Sequence, residues 1–202
     1  MNTGMLLKAL LSYFVIVDPI GTSFIFAALT DGKEDSYCRK MAFRSVLLST
    51  IIVLCFGFFG ANLLNQLGIA LDSFRIAGGL LLFYTAFNMI TKAEGFSAGR
   101  TDKQPEDISV FPLSVPLIAG PGCLTLTVLL FADVGLRKQD LVALVLAVIL
   151  VFLITLFCFL SAKNLSRIMG QTGNNLVKRL LGVLLASLSV QFVADGIKGF
   201  IN

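Results

Sequence analysis

Asp18-Pro19-Ile20-Gly21 and Ala119-Gly120-Pro121-Gly122 each interrupt an apolar run, the first roughly 6–29 and the second roughly 108–132. Both runs are long enough to cross a bilayer, whose hydrocarbon takes about 20 residues of helix. Proline removes a backbone donor, and glycine loosens the helix around it. Hydrocarbon offers no replacement partners, so such a break survives only where protein or a wet cavity covers it. Paired interruptions at matching places in two halves of a chain point to a transporter's binding site.

The composition agrees with a membrane setting. The chain has 202 residues, of which 56% are hydrophobic and 14% charged, and its mean hydropathy is +0.89. Soluble domains carry about a quarter charged residues. The formal net charge of +4 sits in short loops between apolar runs, so it argues for membrane orientation and not for nucleic acid. Only Lys8 precedes the first apolar run, which holds the Asp-Pro pair and shows no small-residue cleavage site, so it does not read as a signal peptide. Cys38, Cys55, Cys123 and Cys158 lack metal-ligand spacing and read as free thiols. The chain has no His, which removes the commonest metal ligand and general base.

Six apolar runs follow one another, at roughly 6–29, 43–64, 73–91, 108–132, 141–160 and 180–201. The connections Asp31 to Arg44 and Ser161 to Arg179 read as charged loops, and about 93–107 reads as a linker between halves. Loops after segments one, three and five hold eleven of the sixteen Lys and Arg residues. With six crossings, the positive-inside rule then puts both termini outside. A second topology, with segments one and four as re-entrant hairpins, keeps the same eleven-to-five split. It places the four cations of the fifth loop outside, which the rule disfavours.

The halves look alike. Arg75 and Arg179 lie 104 residues apart, as do Gly78 and Gly182, while Pro19 and Pro121 lie 102 apart. An odd number of crossings per half inverts the second half relative to the first. The expected fold is therefore all-α, with six transmembrane segments as two inverted three-helix repeats, segments one and four broken at midplane. One integral membrane domain spans 1–202, with repeat one about 1–92 and repeat two about 108–202.

Each break opens a half-helix. Asp18 is placed to cap the amides of Ile20 or Gly21, with Pro19 at the first helical position. The second break has no acid. Gly120 or Ala119 stands at its cap, Pro121 follows, and the amides of Gly122 and Cys123 are left open, which suits an anion such as a carboxylate. A small zwitterion fits both ends: its carboxylate on Gly122 and Cys123, its ammonium near Asp18 and the freed carbonyls of Ile16, Val17 and Ala119. Thr22, Ser23, Thr125 and Thr127 follow the breaks and offer hydroxyls, although such residues also serve as helix packing. Asn88 and Gln191 are candidate cavity-lining residues or interhelical hydrogen-bonding ones. Asp18 has two readings, a cap alone or a cap that also handles ligand or protons. Gly78-Gly79 reads as a place of close helix approach.

These stretches, with Arg75-Ile-Ala-Gly-Gly79, Pro116-Leu-Ile-Ala-Gly-Pro-Gly122, Arg179-Leu-Leu-Gly182 and Gln191-Phe-Val-Ala-Asp-Gly196, resemble the MarC family over nearly the whole chain. The resemblance implies six crossings of a bacterial inner membrane. It also implies movement of small neutral amino acids such as glycine and alanine, and it does not imply drug efflux.

The leading expectation is a secondary transporter of small neutral amino acids, with no cofactor, and with H⁺ or Na⁺ as a candidate coupling ion. A nucleotide-binding loop is absent from the sequence. An intramembrane enzyme is disfavoured, because Asp18 has no second deep acid and no His to work with. A channel, an exporter of another small solute, or a membrane protein without transport activity remains as the alternative class.

Overall fold

The computed structural model describes residues 3–91, 108–135 and 137–201; the linker expected over about 93–107 lies outside them. The described residues are helical, without strands. In order they form α1 (Thr3–Val17), α2 (Pro19–Leu29), α3 (Asp35–Gln66), α4 (Leu71–Thr91), a π-helix (Ser109–Ile118), α5 (Pro121–Val134), α6 (Lys138–Leu160) and α7 (Ala162–Ile201). Segments one and four are each two helices meeting at the expected breaks.

Five stretches are long and apolar enough to cross a bilayer: Thr3–Leu29, Asp35–Gln66, Leu71–Thr91, Lys138–Leu160 and Asn175–Ile201. The fourth segment differs. The 14 residues of α5 rise about 21 Å, short of the hydrocarbon thickness of about 30 Å. Only together with the π-helix does this segment reach a bilayer-spanning length.

Two boundaries depart from the sequence reading. The connection expected from Asp31 to Arg44 is helical from Asp35 onward. Nothing after Gly32 breaks a helix there, and Asp35 in the first turn suits the dipole. Likewise, most of Ser161 to Arg179 is helix, bent where Gly170 takes φ 60° and ψ −176°. Polarity suggested loops, but helices extend beyond the hydrocarbon wherever no proline stops them.

The packing pairs the halves. α1 lies on α6, and the π-helix lies on α3. α2 touches α6 and α7, while α5 touches α3 and α4. α3 also meets α6, and α4 meets α7 along much of its length. Every one of these contacts has a counterpart when the halves are exchanged. The main core joins Tyr13, Val17, Phe26, Leu113, Ile118, Leu126 and Phe152. Phe26 stacks on Phe159 with ring centroids 4.6 Å apart. Large apolar side chains such as Phe59, Tyr84, Phe157 and Leu180 point outward, the arrangement that lipid requires and water penalises.

α4 and α7 run antiparallel. Gly79 faces Ser189 and Val193, Gly182 faces Ala86 to Ile90, and Gly196 faces Asp72 and Ile76. A Cβ on Gly79 would lie 2.7 Å from Val193 Cγ2 and 2.9 Å from the Ser189 carbonyl. Small residues here let the two backbones approach, the usual source of helix association in lipid. Gly79→Val is expected to destabilise the protein by about 1–3 kcal/mol through overpacking. Thermal unfolding in detergent checks this, with the outward-facing Leu80→Val expected to change little.

Candidate functional site

The first break is resolved by one residue. Asp18 takes φ 46° and ψ 66°, the left-handed region, and among the described residues it is the one non-glycine with positive φ. Its amide still closes α1 by donating to the Phe14 carbonyl at 3.0 Å. The reversal then swings its side chain over the next helix, where Oδ1 accepts from the Gly21 amide at 2.9 Å. Its carbonyl accepts from the Thr22 amide at 2.9 Å and from Thr22 Oγ1 at 2.8 Å. Oδ2 meets no donor among the described residues, and Asp18 is only 7% exposed. A Cβ on Gly21 would run into Oδ2, so glycine is required at that place.

The second break is resolved differently. The π-helix ends with the Ala119 amide donating to the Ser114 carbonyl at 2.8 Å. Gly120 is extended, with φ −73° and ψ 168°, and no side chain caps α5. The Leu124 amide bonds the Gly120 carbonyl at 3.0 Å. The buried amides of Gly122 and Cys123 meet no acceptor among the described residues, as expected of the second and third positions of an uncapped helix.

One buried side-chain bond ties the two segments. Tyr13 Oη donates to Thr127 Oγ1 at 2.9 Å, and Thr127 Oγ1 donates to the Cys123 carbonyl at 2.7 Å. Val17 and Ala119, each just before its break, belong to the same core. Pro19 is buried, whereas Pro121 is exposed.

The other expected site residues take more local roles. Ser23 Oγ donates to the Ile20 carbonyl at 2.6 Å. Thr125 Oγ1 donates to the Pro121 carbonyl at 2.9 Å, and its methyl packs against Gly78. Gln191 is exposed and bonds Asp195 Oδ1 at 2.8 Å, one turn along its own helix. Asn88 is half-buried on α4. Leu82 was not visible as a site residue: it is fully buried, and its Cδ2 lies 2.5 Å from where a Gly122 Cβ would stand. Tyr13 was not visible as a site residue either, although a phenol five residues before Asp18 in an apolar run is a usable signal. At one end of α4 and α5, Arg75 bridges Asp133 at 2.6 Å and Asp72 at 3.4 Å.

A bundle of membrane-length helices, with two spans interrupted inside one core, defines a multi-pass integral membrane protein. The chain belongs to the MarC family of integral membrane proteins, which matches residues 3–201. It is similar to a UPF0056 membrane protein of Buchnera aphidicola subsp. Schizaphis graminum, with 34% identity covering 97% of this chain and 93% of that one. A UPF0056 membrane protein of Archaeoglobus fulgidus is 32% identical, covering 91% and 88%. The UPF0056 membrane protein YhcE of Escherichia coli K12 is 32% identical, covering 95% and 91%. No solved structure matches the chain.

The Asp18 geometry makes a sharp distinction between substitutions. Asn tolerates the left-handed region and keeps an acceptor oxygen, whereas Ala does neither. Asp18→Ala is expected to lower stability by about 1–2 kcal/mol, and Asp18→Asn by much less. Melting curves of the two purified variants decide this.

Proposed function

We propose that the protein is a secondary transporter of small neutral amino acids. The observation that carries this reading is the chemical contrast between the two helix starts. One presents a buried carboxylate with a free Oδ2. The other presents two buried amides without acceptors among the described residues. The Tyr13–Thr127 bond links the segments that carry them. A zwitterion answers both polarities, with carboxylate to amides and ammonium to Asp18. Leu82 beside Gly122 restricts the space there, which favours small side chains and speaks against a permanently open channel.

The rest of the reading follows the same line. The two halves form an inverted repeat, supported by the exchangeable packing pairs and the antiparallel α4–α7 contact. The protein sits in a cytoplasmic membrane with both termini outside, as the eleven-to-five division of Lys and Arg suggests. Transport is driven by H⁺ or Na⁺, and no chemical conversion of the solute is involved.

Counterflow of radiolabelled glycine, alanine and serine in proteoliposomes tests this. Wild-type protein should show saturable counterflow of small neutral amino acids, with Asp18→Asn losing at least tenfold. Gly122→Ala alone is ambiguous, because its Cβ also strikes Leu82. Combined with Leu82→Ala, packing is relieved while the backbone stays crowded. Counterflow should remain impaired in that double variant. Full activity in it, or no amino acid counterflow by the wild type, overturns the reading.

A further inference from the structure

Asp18 leaves one demand that its own segment does not answer. Oδ1 is taken by the Gly21 amide, while Oδ2 is buried without a donor among the described residues. A carboxylate oxygen in that state is costly, and a cation or a donor relieves it. α2 is covered by α6 and α7, so those two helices are where a partner would stand. On α6, Cys158 is half-buried and feels the Asp18 charge, but a thiol is a weak donor and brings no positive charge. On α7, the cation whose field reaches Asp18 is Lys178.

The placement of Lys178 is unusual for a lysine at a membrane edge. It lies in the first turn of the span Asn175–Ile201. It is half-buried, whereas the next residue, Arg179, is exposed. Successive residues stand about 100° apart around a helix, so position 178 is turned toward the bundle and position 179 away from it. A lysine that served only to reach the membrane surface would share the exposure of Arg179. No ion pair joins Lys178 to Asp18 among the described residues. The structure therefore shows the two charges facing but apart, with a flexible four-carbon stem between the ammonium and its helix.

Comparison of the halves supports a pairing. Exchanging them turns the α2–α7 contact into the α5–α4 contact. Asp18 then corresponds to Gly120, 102 residues on, and Lys178 to Phe74, 104 residues back. Acid and base are present together in one half of the fold and absent together from the other.

We propose that Lys178 is the resident counter-charge of Asp18, an internal ammonium that holds Oδ2 in the unloaded protein and yields it to the ammonium of the solute. Lys178 acts through Asp18, so it is a positioning residue. With the lysine in place, the empty protein carries no uncompensated charge beside the first break. An uncharged solute or a simple anion does not displace it, so the pair selects for an amine. The displacement step rests on the transport reading above, whereas the pairing does not.

The test is a double-variant cycle on the purified full chain in detergent, read without solute and then with glycine. Without solute, Lys178→Gln should lower the melting temperature by about 3 °C when Asp18 is present and not at all beside Asp18→Asn. Lys178→Arg should keep the wild-type value. Equal losses in both backgrounds, or no loss in either, overturn the pair; they are the marks of a lysine that only packs or only reaches the surface. In equilibrium binding of radiolabelled glycine, Lys178→Gln should tighten the affinity about tenfold, because the internal competitor is gone, while Lys178→Arg stays as weak as the wild type. A residue with a merely structural role would not improve binding when removed. Unchanged or weaker glycine binding by Lys178→Gln overturns the displacement. Should Asp18→Asn fail to fold, the affinity of Lys178→Gln carries the decision. Should neither the wild type nor Lys178→Gln bind glycine, the transport reading fails, and the melting cycle decides the pair by itself.

Discussion

The structure depends on what happens to backbone amides and carbonyls where a membrane helix is cut. Hydrocarbon leaves no unpaired group without a cost of several kcal/mol. At Asp18 the chain meets that cost with a single residue. The left-handed turn, itself worth about 1–2 kcal/mol of strain for a non-glycine residue, stops α1 once the Asp18 amide has bonded the Phe14 carbonyl. The same turn aims the carboxylate at α2, where it caps the Gly21 amide. Strain and cap belong to one conformation, so neither is separable from the other.

The rest of the bundle packs around these cuts and leaves Pro121 exposed at the second. α6 covers both α1 and α2, and α3 covers both the π-helix and α5. α7 lies on α2 and α4 lies on α5. The glycines of α4 and α7 bring those two helices close together across the middle. Long, plain helices therefore shield short, interrupted ones. The outward faces are free to be apolar because they carry none of the polar duty.

The sequence made much of this legible, but unevenly. Asp-Pro announces a helix start, and the acceptor for Gly21 follows from ordinary capping. The left-handed φ of Asp18 does not follow, because capping usually proceeds from extended backbone. The π-helix was also hidden. Its two prolines, Pro112 and Pro116, remove donors at a spacing of four, so an α-helical ladder there is broken twice. Periodicity of apolar residues does not register that loss. Leu82 was hidden for another reason: in an apolar helix, nothing marks which leucine will face a glycine on its neighbour. Polar extensions at Asp35 and beyond Ser161 were read as loops because charge tracks water and not backbone conformation.

The unlike chemistry of the two breaks constrains any ligand more than either break does. A lone anion drawn to the amides of Gly122 and Cys123 would enter a core that already holds the Asp18 carboxylate. A lone cation drawn to Asp18 would enter a core that also holds the positive start of α5. In low dielectric such like-charge terms are large, since screening is weak away from water. A solute with both charges cancels them within its own length and leaves the bundle's charge unchanged. It also leaves the membrane potential without direct purchase on the solute.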